Sequence, residues 1–197
     1  MARQARHDRQ DVLGKALELF WAKGYHATSL KDLEVALDMR PGSIYAAFGS
    51  KEALFSETLA LYAELSRTQF LETLAAAPSR LQGLANHVRR LGCADDSGPS
   101  RACMLVKTLL ETPDDDPTLR VQTETLMRGM EAMFARAFRE AQERGEIAPE
   151  ADPQQLASRL QVDIFGLRAY AQRTDSRARV AQLAEEIARG LEARALA

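Results

Sequence analysis

DMRPGSIYAAFGSKEALF, residues 38–55, contains two helical fragments that are separated by Gly-Ser. Pro-Gly opens the first fragment and Lys51 follows its end, at positions where a helix in a protein core would carry Ala, Leu or Glu. Ile44 and Phe48 are four residues apart and therefore face the same side of a helix. We expect a short helix over about residues 41–48 that is buried along one face and exposed at its N-terminal end.

The segment before this helix predicts a second short helix. Ser29 is a favourable N-cap with Asp32 three residues on, which is a variant of the capping box. The apolar stripe of this helix is formed by Leu30, Leu33 and Leu37. Only the residues DMR join the two helices, which is the spacing of a helix-turn-helix unit whose second helix enters the major groove of DNA. Tight helix pairs also occur in bundles that bind no DNA, so the spacing alone leaves both interpretations open.

The exposed end of the second helix suits contacts to a nucleic acid. Gly42 lets a phosphate backbone approach closely, while the hydroxyls of Ser43 and Tyr45 form hydrogen bonds with phosphates or base edges. Lys51 begins the next helix, where an ammonium group and free backbone amides together attract a phosphate.

The overall charge and composition narrow the classes of function. The 197 residues carry a formal net charge of −2, which argues against a protein that coats nucleic acid along its whole length. Arg3, Arg6 and Arg9 give a local basic surplus and predict a flexible arm along the DNA. No stretch approaches the roughly 18 apolar residues of a transmembrane helix, and no secretory signal is recognisable, so we expect a cytoplasmic protein.

Neither catalysis nor metal binding is indicated. His7, His26 and His87 are scattered, and no phosphate-binding loop or nucleophile motif accompanies them. Cys93 and Cys103 lack the second pair that a zinc site requires. We therefore expect no enzyme activity, no cofactor and no metal.

Helical periodicity runs through almost the whole chain, and no strand is indicated. The predicted fold class is all-α with nine helices. These are expected over about residues 8–23, after Ser29, over about 41–48, after Ser50, after Ser79, over about 101–111, over about 117–143, from Pro153 behind an Asp152 cap, and after a Ser176 cap.

Residues 16–55, ALELFWAKGYHATSLKDLEVALDMRPGSIYAAFGSKEALF, resemble the N-terminal domain of the tetracycline-repressor (TetR) family of bacterial transcription regulators. The matching elements are the F and KGY that end the first helix, the T-S pair, G-S-I-Y-x-x-F and S-K-E-A-L. The resemblance implies a helix-turn-helix DNA-binding domain in residues 1–52 and an effector-binding and dimerisation domain in residues 53–197. It also implies a repressor that binds a palindromic operator in double-stranded DNA. The repressor is expected to be a homodimer whose subunits pair through helices eight and nine, and a small-molecule effector is expected to release it from the DNA.

Three positions depart from the family pattern. Asp38 stands where the turn usually carries Gly, and Pro41 stands where a Lys is common. Arg40 replaces a small hydroxyl cap and adds a ligand for phosphate or guanine, so it is the predicted base-reading residue. The predicted DNA-binding residues are Ser29, Arg40, Pro41, Gly42, Ser43, Tyr45 and Lys51.

By resemblance, helices four to seven enclose the effector. Methionines adapt to varied apolar ligands, although Met and Phe at helical spacing also suit a plain core. Lys107 lies in an otherwise apolar helix and either contacts an anionic ligand or extends into solvent. The predicted effector-binding residues are Phe70, Met104, Lys107, Met127, Met130, Phe134 and Phe165.

Other functions stay open at this point. Cys103, at the start of a predicted helix, with Cys93 across a loop, would suit a redox-sensing regulator, but a buried Cys is more often a small hydrophobic residue. A helical module that binds only protein would share the all-α pattern, yet it has no use for Gly42, Tyr45 and Lys51 in this arrangement. Activation instead of repression is also open.

Overall fold

A computed structural model describes residues 2–93, 100, 102–112 and 117–196, with residues 2–8 described by their backbone alone. Over these ranges all regular secondary structure is helical, without strands, which confirms the predicted fold class. None of the described helices is both long and apolar enough to cross a membrane. The helices are α1 (Ala2–Lys23), α2 (Leu30–Leu37), α3 (Pro41–Phe48), α4 (Lys51–Ala75), α5 (Arg80–Gly92), α6 (Met104–Glu111), α7 (Pro117–Glu143), α8 (Pro153–Tyr170) and α9 (Arg177–Glu192).

Two predicted helix starts are wrong, while α3 and α7 have the predicted bounds. α1 begins at Ala2 instead of Asp8, because Ala, Arg and Gln sustain a helix beyond the apolar stripe that marks its packed part. α6 begins at Met104 instead of residue 101, and the carbonyl of Ala102 accepts a hydrogen bond from Arg168 Nη2 at 3.2 Å.

The helix caps agree with the sequence at most positions. Gly24 ends α1 with φ +86°, and Asp152 caps α8 by accepting from the amides of Gln154 and Gln155. Ser176 occupies the predicted N-cap position of α9, but its side chain does not cap the helix. Its hydroxyl is buried and donates backwards, to the carbonyl of Arg173 at 2.7 Å, so it makes no capping hydrogen bond.

The described residues pack as two compact units. Unit 1 comprises residues 2–64, 100, 104–112 and 117–126, and unit 2 comprises residues 65–93, 102–103 and 127–196. The division falls inside the continuous helices α4 and α7. The functional boundary after residue 52 stays a prediction.

An aromatic cluster organises the core of unit 1. The ring of Phe55 on α4 meets Phe20 on α1 edge to face at 4.9 Å and Tyr25 at 4.8 Å. Since such contacts add to the burial of apolar area, they fix α1 against α4. The helix-turn-helix closes onto this core through its buried residues Leu33, Leu37, Ile44 and Phe48.

The core of unit 2 forms where α5 packs against α9. Gly92 ends α5 at a very close approach, because a Cβ atom there would lie 2.2 Å from the Cβ of Ala184 on α9. Only glycine fits this contact without movement of one helix. The largest side chains of this core, each less than 2% exposed, are Phe70, Leu84 and Phe138, with Phe134 at 2%.

An ion-pair network also joins α5 to α9. The guanidinium of Arg89 donates to Glu185 at 2.7 Å and to Glu192 at 2.6 Å, in each case through two nitrogen atoms. These hydrogen bonds lower the pKa of Glu185 to about 2 and raise that of Arg89 above its ordinary value. An arginine that binds each carboxylate through two nitrogen atoms has the geometry in which a surface ion pair stabilises the packing of two helices.

Candidate functional site

The turn between α2 and α3 sets the direction of the second helix. Asp38 adopts the left-handed conformation, with φ 52° and ψ 46°, and its amide donates to the carbonyl of Glu34. The amide of Met39 donates to the same carbonyl at 3.2 Å. Asp tolerates this conformation better than most residues, which confirms that it can replace the usual Gly. Pro41 then starts α3 at the position where its missing N–H costs nothing.

The N-terminal part of α3 presents a solvent-facing surface, here called the α3 face, made of Arg40, Gly42, Ser43 and Tyr45. All four residues are exposed, Tyr45 by 45%. The helix is held from its other side, since Ile44 and Phe48 are 1% and 6% exposed. Arg40 occupies the N-cap position, but its side chain makes no capping hydrogen bond. A Cβ atom on Gly42 would meet no heavy atom within 4 Å, so the backbone here is open to a ligand.

Ser29, at the start of α2, forms the predicted capping box. Its Oγ accepts from the amide of Asp32 at 3.1 Å, and Asp32 Oδ2 accepts from the Ser29 amide at 2.8 Å. Lys23 donates to the second oxygen of the same carboxylate at 2.7 Å. Hydrogen bonds from Lys23 and Ser29 hold the pKa of Asp32 far below its ordinary value. The Ser29 hydroxyl is therefore engaged in the cap, although the residue is exposed.

Lys51 is the first residue of α4 and is half-buried. Its Nζ lies 4.5 Å from the centroid of the Tyr25 ring, which holds the ammonium by a cation–π contact. Burial lowers the pKa of Lys51, and the nearby charge of Asp32 opposes that shift. Ser50 caps the helix as predicted, by accepting from the amide of Ala53 at 3.0 Å. Lys51 is thus a positioned cation at a helix N-terminus.

The predicted basic arm is wrong for Arg9. This residue lies within α1, where its guanidinium pairs with Glu57 at 2.7 Å and stacks over the Phe48 ring at 4.6 Å. Arg9 therefore braces α1 against α3 and α4. The side chains of Arg3 and Arg6 lie outside the described residues.

The α3 face with Lys51 has the chemistry of noncovalent nucleic-acid recognition. Two cations, two hydroxyls and an open glycine backbone are groups of the kind that contact phosphates, and a guanidinium such as that of Arg40 has the fork that matches guanine. All seven predicted DNA-binding residues lie in unit 1. The turn geometry accounts for the exposure of the α3 face, and the DNA-binding roles of the seven residues stay predictions.

The seven predicted effector residues are divided between the units. Met104 and Lys107 belong to unit 1, and the other five belong to unit 2. In unit 2, Phe70 and Phe134 are in ring contact at 5.2 Å and are buried. Met127, Met130 and Phe165 are half-buried. The effector roles of all seven stay predictions.

The ammonium group of Lys107 contacts α1, and its role toward an anionic effector stays a prediction. Its Nζ donates to the carbonyls of Trp21 at 3.3 Å and Ala22 at 2.9 Å. These carbonyls belong to the last turn of α1, where intrahelical donors are lacking and the dipole attracts a cation. Lys107 therefore ties α6 to the end of α1.

Sequence reasoning missed His87 on α5, which is 6% exposed. Its ring lies 5.0 Å from Phe70 and 6.0 Å from Phe134, and these three residues are here called the ring cluster. Burial, with the charges of Arg168 and Arg90, lowers the pKa of His87 to about 4. The position of His87 between Leu84 and Val88 in the apolar stripe of α5 was the available signal.

Cys103 lies immediately before α6 and is 3% exposed, whereas Cys93 is exposed at the end of α5. Oxidation requires access to the thiol, so the burial of Cys103 disfavours the redox-sensing alternative.

Comparisons with known proteins agree with this geometry. The family "Bacterial regulatory proteins, tetR family" matches residues 12–58, and "Tetracyclin repressor-like, C-terminal domain" matches residues 77–187. The transcriptional repressor ComR of Escherichia coli K12 is 27% identical over 90% of this chain and 85% of its own length. A cysteine variant of the regulator CifR, in complex with 26-bp operator DNA, is 30% identical over 90% of this chain and 93% of that one, with a TM-score of 0.83. A regulator from Cytophaga hutchinsonii, with a TM-score of 0.85 and 21% identity, covers 96% of this chain and 95% of its own and shows the same fold.

Proposed function

The chain belongs to the TetR family of bacterial transcriptional regulators, and from this membership we propose that it represses transcription as a homodimer on a palindromic operator. A small-molecule effector bound in its C-terminal part releases the DNA. The observation that carries this proposal is the α3 face, a set of exposed polar residues on a helix whose opposite side is buried.

Each residue of the interface has a distinct role in this proposal. Arg40 reads a guanine in the major groove, because its guanidinium is exposed and unused by the helix cap. Ser43 and Tyr45 donate to phosphates, and Lys51 neutralises a phosphate beside the first turn of α4. Gly42 and Pro41 bring the backbone of α3 close to the DNA. Ser29 orders α2 through its cap and presents the free amides of the helix start to a phosphate.

The surface of α8 and α9 supports the homodimer. A groove of about 420 Å³ has an apolar floor that includes Leu160 and Ile187, and a charged rim that includes Arg159 and Glu186. Gln155, Arg159, Val162 and Gly166 are exposed on α8 at alternating spacings of four and three residues, the periodicity of a helix-packing ridge. A second copy covers this ridge and groove, and two recognition helices then meet successive major grooves.

Effector control acts through α4. This single helix begins at Lys51 and continues to Ala75, past Phe70 of the ring cluster. An effector that prefers the DNA-free conformation shifts α4 and lowers operator affinity. Allosteric coupling of about 1–3 kcal/mol corresponds to a change in affinity of about 5- to 150-fold.

Selection from a randomised duplex pool with the full-length protein tests the DNA-binding role. We expect an enriched palindrome, which is then used in fluorescence anisotropy as a function of salt. Lys51→Ala should reduce the slope of log K against log salt by about 0.9 for each phosphate contact that is lost. Arg40→Ala should weaken binding by about 1–3 kcal/mol and relax the preference at one base pair.

The matched control is Arg136→Ala, which removes an exposed arginine of α7 in unit 2. It should leave operator affinity near that of the wild type. If the wild-type protein enriches no sequence even at low salt, the DNA-binding role is wrong.

Two exposed valines provide a matched test of the dimer. Val162 on α8 is 63% exposed and Val121 on α7 is 59% exposed. Val162→Arg should yield monomers in multi-angle light scattering, because it places a charge on the proposed interface, and Val121→Arg should not. A dimer that tolerates Val162→Arg would contradict this assignment of the interface.

A further inference from the structure

The ring cluster contains one polar group, the imidazole of His87, which lies in the apolar core of unit 2. Phe70 of α4, His87 of α5 and Phe134 of α7 contribute one ring each, and Phe70 meets both other rings nearly edge on, at 78° and 82°. Phe70 is 1% exposed and Phe134 is 2% exposed. The imidazole is thus packed against two aromatic side chains and is almost excluded from water.

His87 Nδ1 is buried and has no hydrogen-bond partner among the residues that the structure describes. An unmatched polar atom in a core destabilises the folded state, so such atoms call for an explanation. Packing does not provide one, because a Phe or Leu would fill this space without the unmatched nitrogen. A hydrogen bond to a bound molecule would satisfy it.

The electrostatic surroundings select the charge of that molecule. Among the described residues, the charged side chains that act on the imidazole are those of Arg168 and Arg90, both cationic. Arg168 donates to the Ala102 carbonyl and Arg90 contacts Thr73 Oγ1 at 3.4 Å. A neutral imidazole donates from one nitrogen, and a carboxylate oxygen only accepts, so the two groups match when the proton is on Nδ1. The positive surroundings favour the anion.

Adjacent side chains suit an aromatic ring. Met130 precedes Phe134 by one helical turn on α7, is half-buried and packs against the core of unit 2. A methionine changes rotamer at low cost and tolerates a flat apolar guest beside it. An incoming ring can replace the edge-to-face contact between Phe70 and Phe134 with two contacts of the same kind.

We propose that the effector is a small aromatic carboxylate whose ring inserts into the ring cluster and whose carboxylate accepts a hydrogen bond from His87 Nδ1. This assignment rests on the proposed function, which requires an effector, and it names the effector's chemical class and the residue that selects it.

The test uses full-length protein with ¹⁵N-labelled histidine, because the chain has only three histidines to resolve. Benzoate and cinnamate are the probes, with benzyl alcohol and cinnamyl alcohol as their neutral counterparts. Long-range ¹H–¹⁵N correlation spectra should show the proton moving to, or held on, Nδ1 of His87 when a carboxylate binds. The alcohols should bind at least about tenfold more weakly, a difference of about 1.4 kcal/mol.

Two variants separate the contribution of the nitrogen from that of the ring. His87→Phe retains an aromatic ring and should lose at least about tenfold in carboxylate affinity, whereas affinity for the alcohols should change little. His26→Phe, which removes an exposed imidazole, is the control and should bind the carboxylates like the wild type. If His87→Phe fails to fold, the His87 resonances of the wild type decide whether the carboxylate binds at Nδ1.

Operator binding by the wild type without any probe is measured in parallel. If operator DNA binds but neither carboxylate shifts the His87 resonances, the effector assignment is refuted and the proposed function stands. If both carboxylates bind His87→Phe as tightly as the wild type, the role of His87 is refuted. If no operator is bound, the failure lies in the proposed function.

Discussion

Replacing His87 by Phe should change how the stability of this protein depends on pH. The folded chain keeps the imidazole neutral, since burial, together with Arg168 and Arg90, lowers its pKa from 6.5 to about 4. In the unfolded chain the imidazole returns to its ordinary pKa. Between these two values the unfolded state binds a proton that the folded state does not, so acidification favours unfolding.

The magnitude follows from the two pKa values. One pKa unit corresponds to about 1.4 kcal/mol, so the full effect of His87 is about 3 kcal/mol per chain and is reached below the folded pKa of about 4. About 2 kcal/mol of this should be lost between pH 7 and pH 5. Stability from this group is complete above pH 6.5 and decreases as the pH falls toward 4.

Urea unfolding followed by far-ultraviolet circular dichroism, at pH 7 and pH 5 and at one protein concentration, measures this difference. The wild type should lose about 2 kcal/mol more than His87→Phe, in which no group titrates at that position. Asp32, Glu185 and Glu192 also have lowered pKa values, and the stability they provide is lost as carboxylates become protonated at lower pH. That loss occurs in both proteins and cancels in the comparison.

His87→Gln provides a second substitution without a titrating group, in case the larger Phe disturbs the core. His26→Phe should keep the pH dependence of the wild type. The reasoning is refuted if both His87 variants lose as much free energy of unfolding as the wild type between pH 7 and pH 5.

Three further substitutions test packing and capping, each by its change in the free energy of chemical unfolding. Gly92→Ala should destabilise the folded protein by about 1–3 kcal/mol, because the added methyl group meets Ala184. Gly129→Ala, in open space on α7, should stabilise it by up to about 1 kcal/mol. Equal effects of the two substitutions would contradict the close approach of α5 and α9. Ser29→Ala should cost about 1 kcal/mol by removing the capping box, and an unchanged stability would show that the cap is dispensable. Lys107→Met should cost about 1 kcal/mol by leaving two α1 carbonyls without their donor, and the idea fails if the variant matches the wild type in stability.

Much of the candidate interface was predictable because its signals are local. The capping box of Ser29, the left-handed turn at Asp38 and the spacing of Ile44 and Phe48 depend on neighbours within a few residues. Such short-range patterns specify where α2 and α3 begin and end and how the chain turns between them. The exposure of Arg40 follows from that backbone.

Predictions failed where a distant partner decides the environment of a side chain. Arg9 was expected in a flexible arm, but its contacts with Phe48 of α3 and Glu57 of α4, far along the chain, hold it in place on α1. The contact of Lys107 with the end of α1 was not expected from the sequence. Ser176 is a different case, because its buried hydroxyl donates to Arg173, only three residues before it.

The sequence by itself determined the helical fold class, the position of the helix-turn-helix and the residues of the α3 face. Periodicity and caps operate over one or two turns, and that information is contained in the order of the residues. Only the tertiary structure decided that Lys107 ties α6 to α1 and that Gly92 lets α5 touch α9. It alone brought His87 between Phe70 and Phe134 with a buried, unmatched nitrogen. Contacts between residues distant in the chain depend on how helices dock, which no local pattern specifies.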